Sequence, residues 1–597
     1  MTARLRDDAR MLAAFAALVV VFGVVARGDA GLAQAGTYVA IFAPAAIGLS
    51  VLLGNVNQIS VGQAGFFGIG AYAVGYLMVD DGLSFWIAAP VGIALATLVG
   101  VGLGFIALRF RGHYLAMATL AFGLIAVGVF HAAPFLGRSS GITGIPFPQL
   151  GSLTLNGYPA YWAAWLVAFG VAVLTLGLLR GRAGRAFEAI RNDELAAEAI
   201  GVATRRTKIF AFAYAGALAA LGGAMFAAFL GLVNPDAVGI ALSVDVLLMV
   251  VLGGAGLVAG ALFGAALIGF LNVVGHQYDN WREVAYGSLV IGFVVFAPSG
   301  ILGVLRAPLM RVRRRAAAES ARHVGLGADA APVHVRVPAT ALSAVCAPSD
   351  EPLVVRGVTK RFGGLVALDD VSFALRAGTL TSVIGPNGAG KTTLFNAICG
   401  IGRLTAGGVV IGGVDVTGLQ PHRIAALGVG RTFQSARLFD DMTVLENVAA
   451  GALRTPSRAL ADRACSVLDR LGLAHLQDVV AKDLAFGDRR RAELARAVAA
   501  EPWLLLADEP AAGLNHEERQ RLHADLLALR DAGTTVLLIE HDMKLVMAIS
   551  ERVIVLNFGR IIADGDVASV RNDPAVIAAY LGTASASGAS APGASGP

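Results

Sequence analysis

Apolar runs of about twenty residues, the length that crosses a bilayer, follow one another through the first half of this 597-residue chain. In lipid the backbone must satisfy its own hydrogen bonds, so such runs in series dictate a helical bundle. They lie near 11–26, 36–54, 59–79, 85–108, 113–133, 161–180, 209–231 and 284–305. The stretch 241–275 reads either as one long helix or as two short ones about the break Gly253-Gly254-Ala255-Gly256.

Charge supports the division. Residues 1–305 carry 15 Lys/Arg and 13 Asp/Glu, against totals of 47 and 42 for the chain. Basic residues gather before the first run (Arg4, Arg6, Arg10), in 180–208, and after the last run (Arg306, Arg311, Arg313). The positive-inside rule puts all three segments in the cytoplasm. An even number of spans follows. Two short spans at 241–275 give ten, the favoured count, and a re-entrant hairpin there gives eight. The net charge of +5 lies largely in these loops, which argues against a nucleic-acid partner. Cys346, Cys399 and Cys465 have no metal spacing and allow no even-numbered disulfide framework.

Residues 1–35 have a second reading, as a cleaved secretory signal ending at Ala33-Gln34-Ala35. Asp7 and Asp8 dilute its basic region, which favours an uncleaved first span. The Gly/Ala-rich Gln63–Ala71 reads as close helix packing. Asn55, Asn57, Gln58, Ser60 and Gln63 either line a polar path or glue helices together. Asp245 stands inside an apolar run, where a carboxylate is costly and usually faces a partner or cavity.

Domain bounds follow from these changes of pattern: a membrane domain at 1–307, an aperiodic linker at 308–350, a soluble α/β domain at 351–582 and an Ala/Ser/Gly/Pro tail at 583–597. In the soluble part an apolar strand runs into Gly385-Pro386-Asn387-Gly388-Ala389-Gly390-Lys391-Thr392-Thr393 and then an apolar helix start. This is a P-loop in its required strand–loop–helix setting. Its backbone N–H groups and helix N-terminus cradle phosphate. Lys391 reaches the terminal phosphates, and Thr392 is a Mg²⁺ ligand. A second strand, Leu504 to Ala507, ends in Asp508-Glu509, acids placed to hold Mg²⁺ and orient water.

Together these motifs resemble an ABC-transporter ATPase over about 351–582. The resemblance implies that Phe362 stacks on adenine, that Gln434 reaches Mg²⁺ and senses the membrane domain, and that Glu509 polarises the attacking water. His541 is then the switch histidine at the γ-phosphate, and Asn515 lies in the D-loop. Leu484-Ala485-Phe486-Gly487-Asp488 is similar to the family signature, in which Gly487 approaches a partner's nucleotide. Ala485 and Asp488 stand where that family commonly has serine and glutamine.

The apolar half resembles the permease of branched-chain amino acid (LIV-type) ABC importers, through Ser60-Val61-Gly62-Gln63-Ala64-Gly65-Phe66-Phe67-Gly68, Tyr114–Leu120, Ser140–Gly144 and Gly254–Gly260. The chain would then be a permease fused to its ATPase. Segment 184–201 resembles the cytoplasmic coupling segment, with Ile190, Ala197 and Gly201 near one helical face. It would dock near Gln434.

The resemblance implies ATP and Mg²⁺ as cofactors and a bacterial inner-membrane location with the ATPase in the cytoplasm. It implies as partners a second permease, a second ATPase and a periplasmic or lipid-anchored solute-binding protein. A homodimer of the fused chain is the runner-up assembly. Membrane lipid and a small-molecule substrate complete the set. Import of urea or short amides is the alternative within the permease family. An ATP-binding membrane regulator without transport is the alternative of another class, and intact Lys391, Asp508, Glu509 and His541 argue against it. Exporter fusions usually have about six long helices, unlike this half.

Overall fold

The computed structural model describes residues 2–107, 109–110, 112–275, 287–288, 292, 300–303, 350–452 and 459–581. The chain divides into two compact units, residues 1–191 with 203–315 and residues 192–202 with 316–597. The linker expected at 308–350, apart from Asp350, and the tail at 583–597 lie outside the described residues.

The first unit is helical: α1 (Thr2–Val25), α2 (Ala30–Val56), α3 (Gln63–Val79), α4 (Phe85–Ala107), α5 (His113–Ala132), α6 (Tyr158–Arg180), α7 (Arg182–Asn192), α9 (Thr204–Leu230), α10 (Ile240–Gly253) and α11 (Val258–Gly275). The intervening α8 (Glu194–Ala199) belongs to the second unit. Among the described residues, six helices are long and apolar enough to cross a membrane, and α3, α10 and α11 are shorter apolar helices. The stretch 241–275 is two helices, so a single long helix is excluded. The run at 284–305, on which the count of ten depends, lies largely outside the described residues.

Small residues set the helix spacing. A Cβ added at Gly70 of α3 would fall 2.1 Å from the Ala220 carbonyl oxygen on α9, so any larger residue would force these backbones apart. The glycine break between α10 and α11 is pinned from two sides. Gly256 N–H donates to Ser50 Oγ at 3.0 Å. The Asp8 carboxylate accepts from Val258 N–H at 3.0 Å and Ala259 N–H at 3.1 Å. Asp8 therefore caps α11 from some 250 residues away, and it is 1% exposed. Tyr161 Oη donates to the Val19 carbonyl at 2.6 Å, tying α6 to α1. Residues 2–25 are thus built into the bundle. Losing the cap leaves two N–H groups without it, so Asp8→Ala is expected to destabilise by ~1–2 kcal/mol. Thermal denaturation in detergent checks this, and an unchanged midpoint would remove Asp8 from the fold's supports.

The second unit holds two sheets. A four-stranded antiparallel sheet is built from β1 (Leu353–Phe362), β2 (Leu365–Ala374), β4 (Ala406–Ile411) and β5 (Val414–Asp415), in the order β2-β1-β4-β5. A six-stranded sheet contains β3 (Leu380–Ile384), β6 (Val429–Arg431), β7 (Leu504–Asp508), β8 (Thr535–Ile539), β9 (Arg552–Asn557) and β10 (Arg560–Gly565). Its order is β6-β7-β8-β3-β9-β10, parallel except for β10. Every residue of β3, β7 and β8 is buried, as near-continuous apolar strands covered on both faces must be. These strands stand side by side, so the loops at their C-terminal ends converge. That edge is where ligands bind in open α/β sheets.

Candidate nucleotide site

The loop 385–390 leaves β3 and enters α12 (Lys391–Ile398). At Gly390, φ is +103° and an added Cβ would lie 2.5 Å from the Ala367 carbonyl oxygen, so only glycine closes this turn. At Gly388, φ is +81° with open space above it, which leaves room for a ligand against the backbone. Lys391 is buried, and its ammonium donates to the carbonyl oxygens of Gly385 at 2.7 Å and Pro386 at 3.0 Å. Burial lowers its pKa, opposed by the charges of Glu509 and Asp508. Asn387 and Thr392 are exposed, Thr393 is half-buried and Ala389 is buried.

Asp508 ends β7, hydrogen-bonded through its N–H to Thr432 Oγ1 at 3.3 Å. Burial pushes its carboxyl up to about 6, against the pull of Arg431. Its Oδ1 is enclosed and has no hydrogen-bond partner among the described residues, an expensive state for a carboxylate oxygen. A cation brought in with phosphate would relieve it, so the residues fit Mg²⁺. Among the described residues, no group of three or more His, Cys, Asp or Glu could hold a metal by itself.

Glu509 follows with φ +45°, a left-handed backbone unusual for a side-chain-bearing residue. Its carboxylate accepts from Gln434 Nε2 at 3.2 Å and lies 3.9 Å from His541 Nδ1. The structure thus brings Gln434, Glu509 and His541 together. Phe362 lies at the end of β1, 54% exposed, with Lys360 Nζ 4.9 Å from its ring centroid. Gly487, in α16 (Phe486–Val498, after α13 to α15 at Pro421–Ala426, Val444–Gly451 and Leu460–Arg470), is packed against Glu518. A Cβ there would fall 2.1 Å from Glu518 Oε1. Asn515 caps the following helix, His516–Asp531, in a capping box with Glu518.

Three supports were missed in the sequence. Glu493 is 1% exposed, accepts from the N–H groups of Phe433 (3.3 Å) and Arg437 (3.0 Å), and is flanked by Arg490 and Arg496. Arg490 also donates to the Phe433 carbonyl at 2.8 Å and to that of Gln434. The backbone around Gln434 is therefore held from below by a buried charge cluster. Glu540 is fully buried and accepts from Ala511 N–H (2.9 Å) and His541 N–H (3.3 Å), which joins the chain after Glu509 to the histidine. Asp193, within this same unit, pairs with Arg437 at 2.8 Å, and Asn192 Oδ1 accepts from Asp441 N–H at 3.2 Å. One expectation is corrected here. Ile190 and Ala197 do not share a helical face, because Asp193 ends α7 and caps α8 through Ala196 N–H. Gly201 lies beyond α8, at φ +93°.

Known proteins share these sequences. Residues 31–298 match the family described as branched-chain amino acid transport system / permease component. Residues 368–512 match the ABC transporter family, and 560–586 the branched-chain amino acid ATP-binding cassette transporter family. The high-affinity branched-chain amino acid transport ATP-binding protein LivG of Salmonella typhimurium is 46% identical over 251 residues, covering 39% of this chain and 98% of that protein. The chain belongs to the branched-chain amino acid ABC transporter family. LivG of Escherichia coli K12 is 45% identical over 253 residues (39% of this chain, 99% of that protein). BraF of Pseudomonas aeruginosa, also named a high-affinity branched-chain amino acid transport ATP-binding protein, is 43% identical over 250 residues (39% and 98%). This ABC transporter chain is a permease fused to an ATPase, an integral membrane protein that binds ATP and couples its hydrolysis to transport.

Proposed function

We propose that the chain imports branched-chain or related amino acids across the bacterial inner membrane, with its ATPase in the cytoplasm. The observation that carries the ATP-driven part of the reading is the carboxylate pair Asp508-Glu509 at the end of β7, with Glu509 held by Gln434 and close to His541. The names of LivG and BraF support the substrate class.

In this reading Lys391 turns from the carbonyls of Gly385 and Pro386 to the β- and γ-phosphates, while the loop N–H groups take the remaining phosphate oxygens. Phe362 stacks on adenine. Glu509 accepts a hydrogen bond from water aligned on the γ-phosphorus. The water oxygen–phosphorus bond forms as the bridging bond to ADP breaks, and His541 steadies the departing phosphate. Thr392, Gln434 and Asp508 would hold Mg²⁺, which when bound neutralises phosphate charge.

Gly487 would serve the nucleotide of a second ATPase. The full machine then needs that ATPase, a second permease and a solute-binding protein. Segment 192–202 transmits closure to the membrane helices. The Asp193–Arg437 ion pair supports that role, since the Arg437 backbone is itself held by Glu493, three residues from Gln434.

The test is ATP hydrolysis by the assembled complex in lipid nanodiscs, with its solute-binding protein added empty or loaded with leucine. Stimulation by the leucine-loaded protein alone is the expected result. Stimulation by a urea- or amide-loaded protein instead would replace the substrate class while keeping the importer.

A further inference from the structure

Several enclosed polar atoms of the permease unit find no hydrogen-bond partner among the described residues, and two of the side chains that carry them stand within four residues at the start of α3. Ser60 and Gln63 stand at the opening of α3, and each is 1% exposed. Ser60 Oγ and both amide atoms of Gln63 are enclosed and have no hydrogen-bond partner among the described residues. Leaving such groups unpaired is unfavourable in any core and more so inside a bilayer. A residue kept under that penalty usually has a ligand to meet.

Polar side chains that glue helices look different, and the same turn shows how. Thr119 Oγ1 of α5 accepts from Val61 N–H at 3.0 Å, and Ser243 Oγ of α10 accepts from Ala64 N–H at 3.0 Å. Those hydroxyls are spent on joining α5 and α10 to the start of α3. Ser60 and Gln63 each precede one of these joints and make no side-chain hydrogen bond among the described residues. Gln63 is the first residue of a 17-residue helix, and helical side chains lean toward their own N-terminus. That tendency brings its amide toward the start of the helix, where the dipole presents partial positive charge. Phe66 and Phe122, with ring centroids 4.8 Å apart, pack beside this turn and supply apolar surface.

We propose that Ser60 and Gln63 contact the transported solute, hydrogen-bonding the amino and carboxylate groups of a zwitterionic amino acid at the start of α3. The pairing follows from charge. A serine and a glutamine offer donors and acceptors without net charge, which matches a head group whose own charges cancel. The helix start favours the carboxylate end, and the half-buried Phe122 beside it would meet a branched aliphatic side chain. This rests on the importer reading above and assigns it a contact site inside the membrane.

The variants Gln63→Leu and Ser60→Ala keep size and remove polarity. The full complex, with its solute-binding protein, is reconstituted in proteoliposomes and assayed with radiolabelled leucine, urea and acetamide. Each variant is compared with the parent on whichever solute the parent imports, and melting is followed in parallel. The expected result is a rise of about tenfold or more in KM for uptake of leucine, with melting unchanged or raised. Uptake within twofold of the parent would overturn the site. So would a fall in melting temperature that accompanies the loss, because the side chains would then be structural. A parent that imports urea or acetamide but not leucine fails the substrate reading and the zwitterion match together. The variant comparison on that solute still decides whether Ser60 and Gln63 contact cargo.

Discussion

Replacing Glu509 by glutamine lowers ATP turnover by ~10²–10⁴-fold, the span of a lost general base, while nucleotide binding stays near that of the parent. The change keeps the side chain's length and its contact with Gln434, 3.2 Å away. It removes the negative charge and the proton-accepting oxygen that would face water. Binding persists because the phosphate cradle belongs to other residues: the loop 385–390, Lys391 and Thr392. The left-handed backbone at φ +45° is retained, since glutamine tolerates it no worse than glutamate does. Phosphate release and fluorescent-nucleotide titration of the purified complex separate the two effects. Turnover within tenfold of the parent would move the water-orienting role to another group. Equal loss of binding would show that Glu509 holds nucleotide instead.

Glu493→Ala has the largest expected effect on stability, ~3–5 kcal/mol, because it strips the counter-charge from a buried cluster. Arg490 and Arg496, both nearly fully buried, would face each other's charge without it. The N–H groups of Phe433 and Arg437 would lose their acceptor as well. Burial raises the Glu493 pKa, and Arg496 opposes that shift most strongly. Thermal denaturation reads the global loss, and hydrogen exchange at residues 433–437 reads the local one. Glu493→Gln, which keeps the acceptor oxygen but not the charge, should fall between the two. A loss below about 1 kcal/mol for the alanine variant would show that solvent or rearrangement compensates the arginines.

Features carried by contiguous residues could be read from the sequence, and those carried by distant pairs could not. The P-loop announces itself because its glycines, lysine and threonine act through one short backbone path. Asp508 and Glu509 are adjacent and end an apolar strand, so their neighbourhood is also local. Seven apolar runs match helices because twenty apolar residues in lipid leave the backbone little choice. Asp8 is the opposite case. From composition it is an acid that weakens a basic N-terminal region, whereas its partners are Val258 and Ala259. Glu493 carries no local signal in the sequence, and only the fold places it at the backbone of Phe433 and Arg437. The shared helical face expected in 184–201 failed for a local reason. A single helical period across 184–201 ignored Asp193, whose side chain caps a new helix and resets the phase.

The Lys391 ammonium, bound to two carbonyls of its own loop, has a kinetic consequence. These two bonds hold the loop's shape from within. Nucleotide entry then becomes an exchange of partners at one ammonium rather than the ordering of six backbone residues. Affinity is lower than it would be for an unoccupied cradle, since charged hydrogen bonds of ~1.5–3 kcal/mol each must be given up. In return the loop keeps its shape through the exchange, and ATP meets a surface that needs no folding.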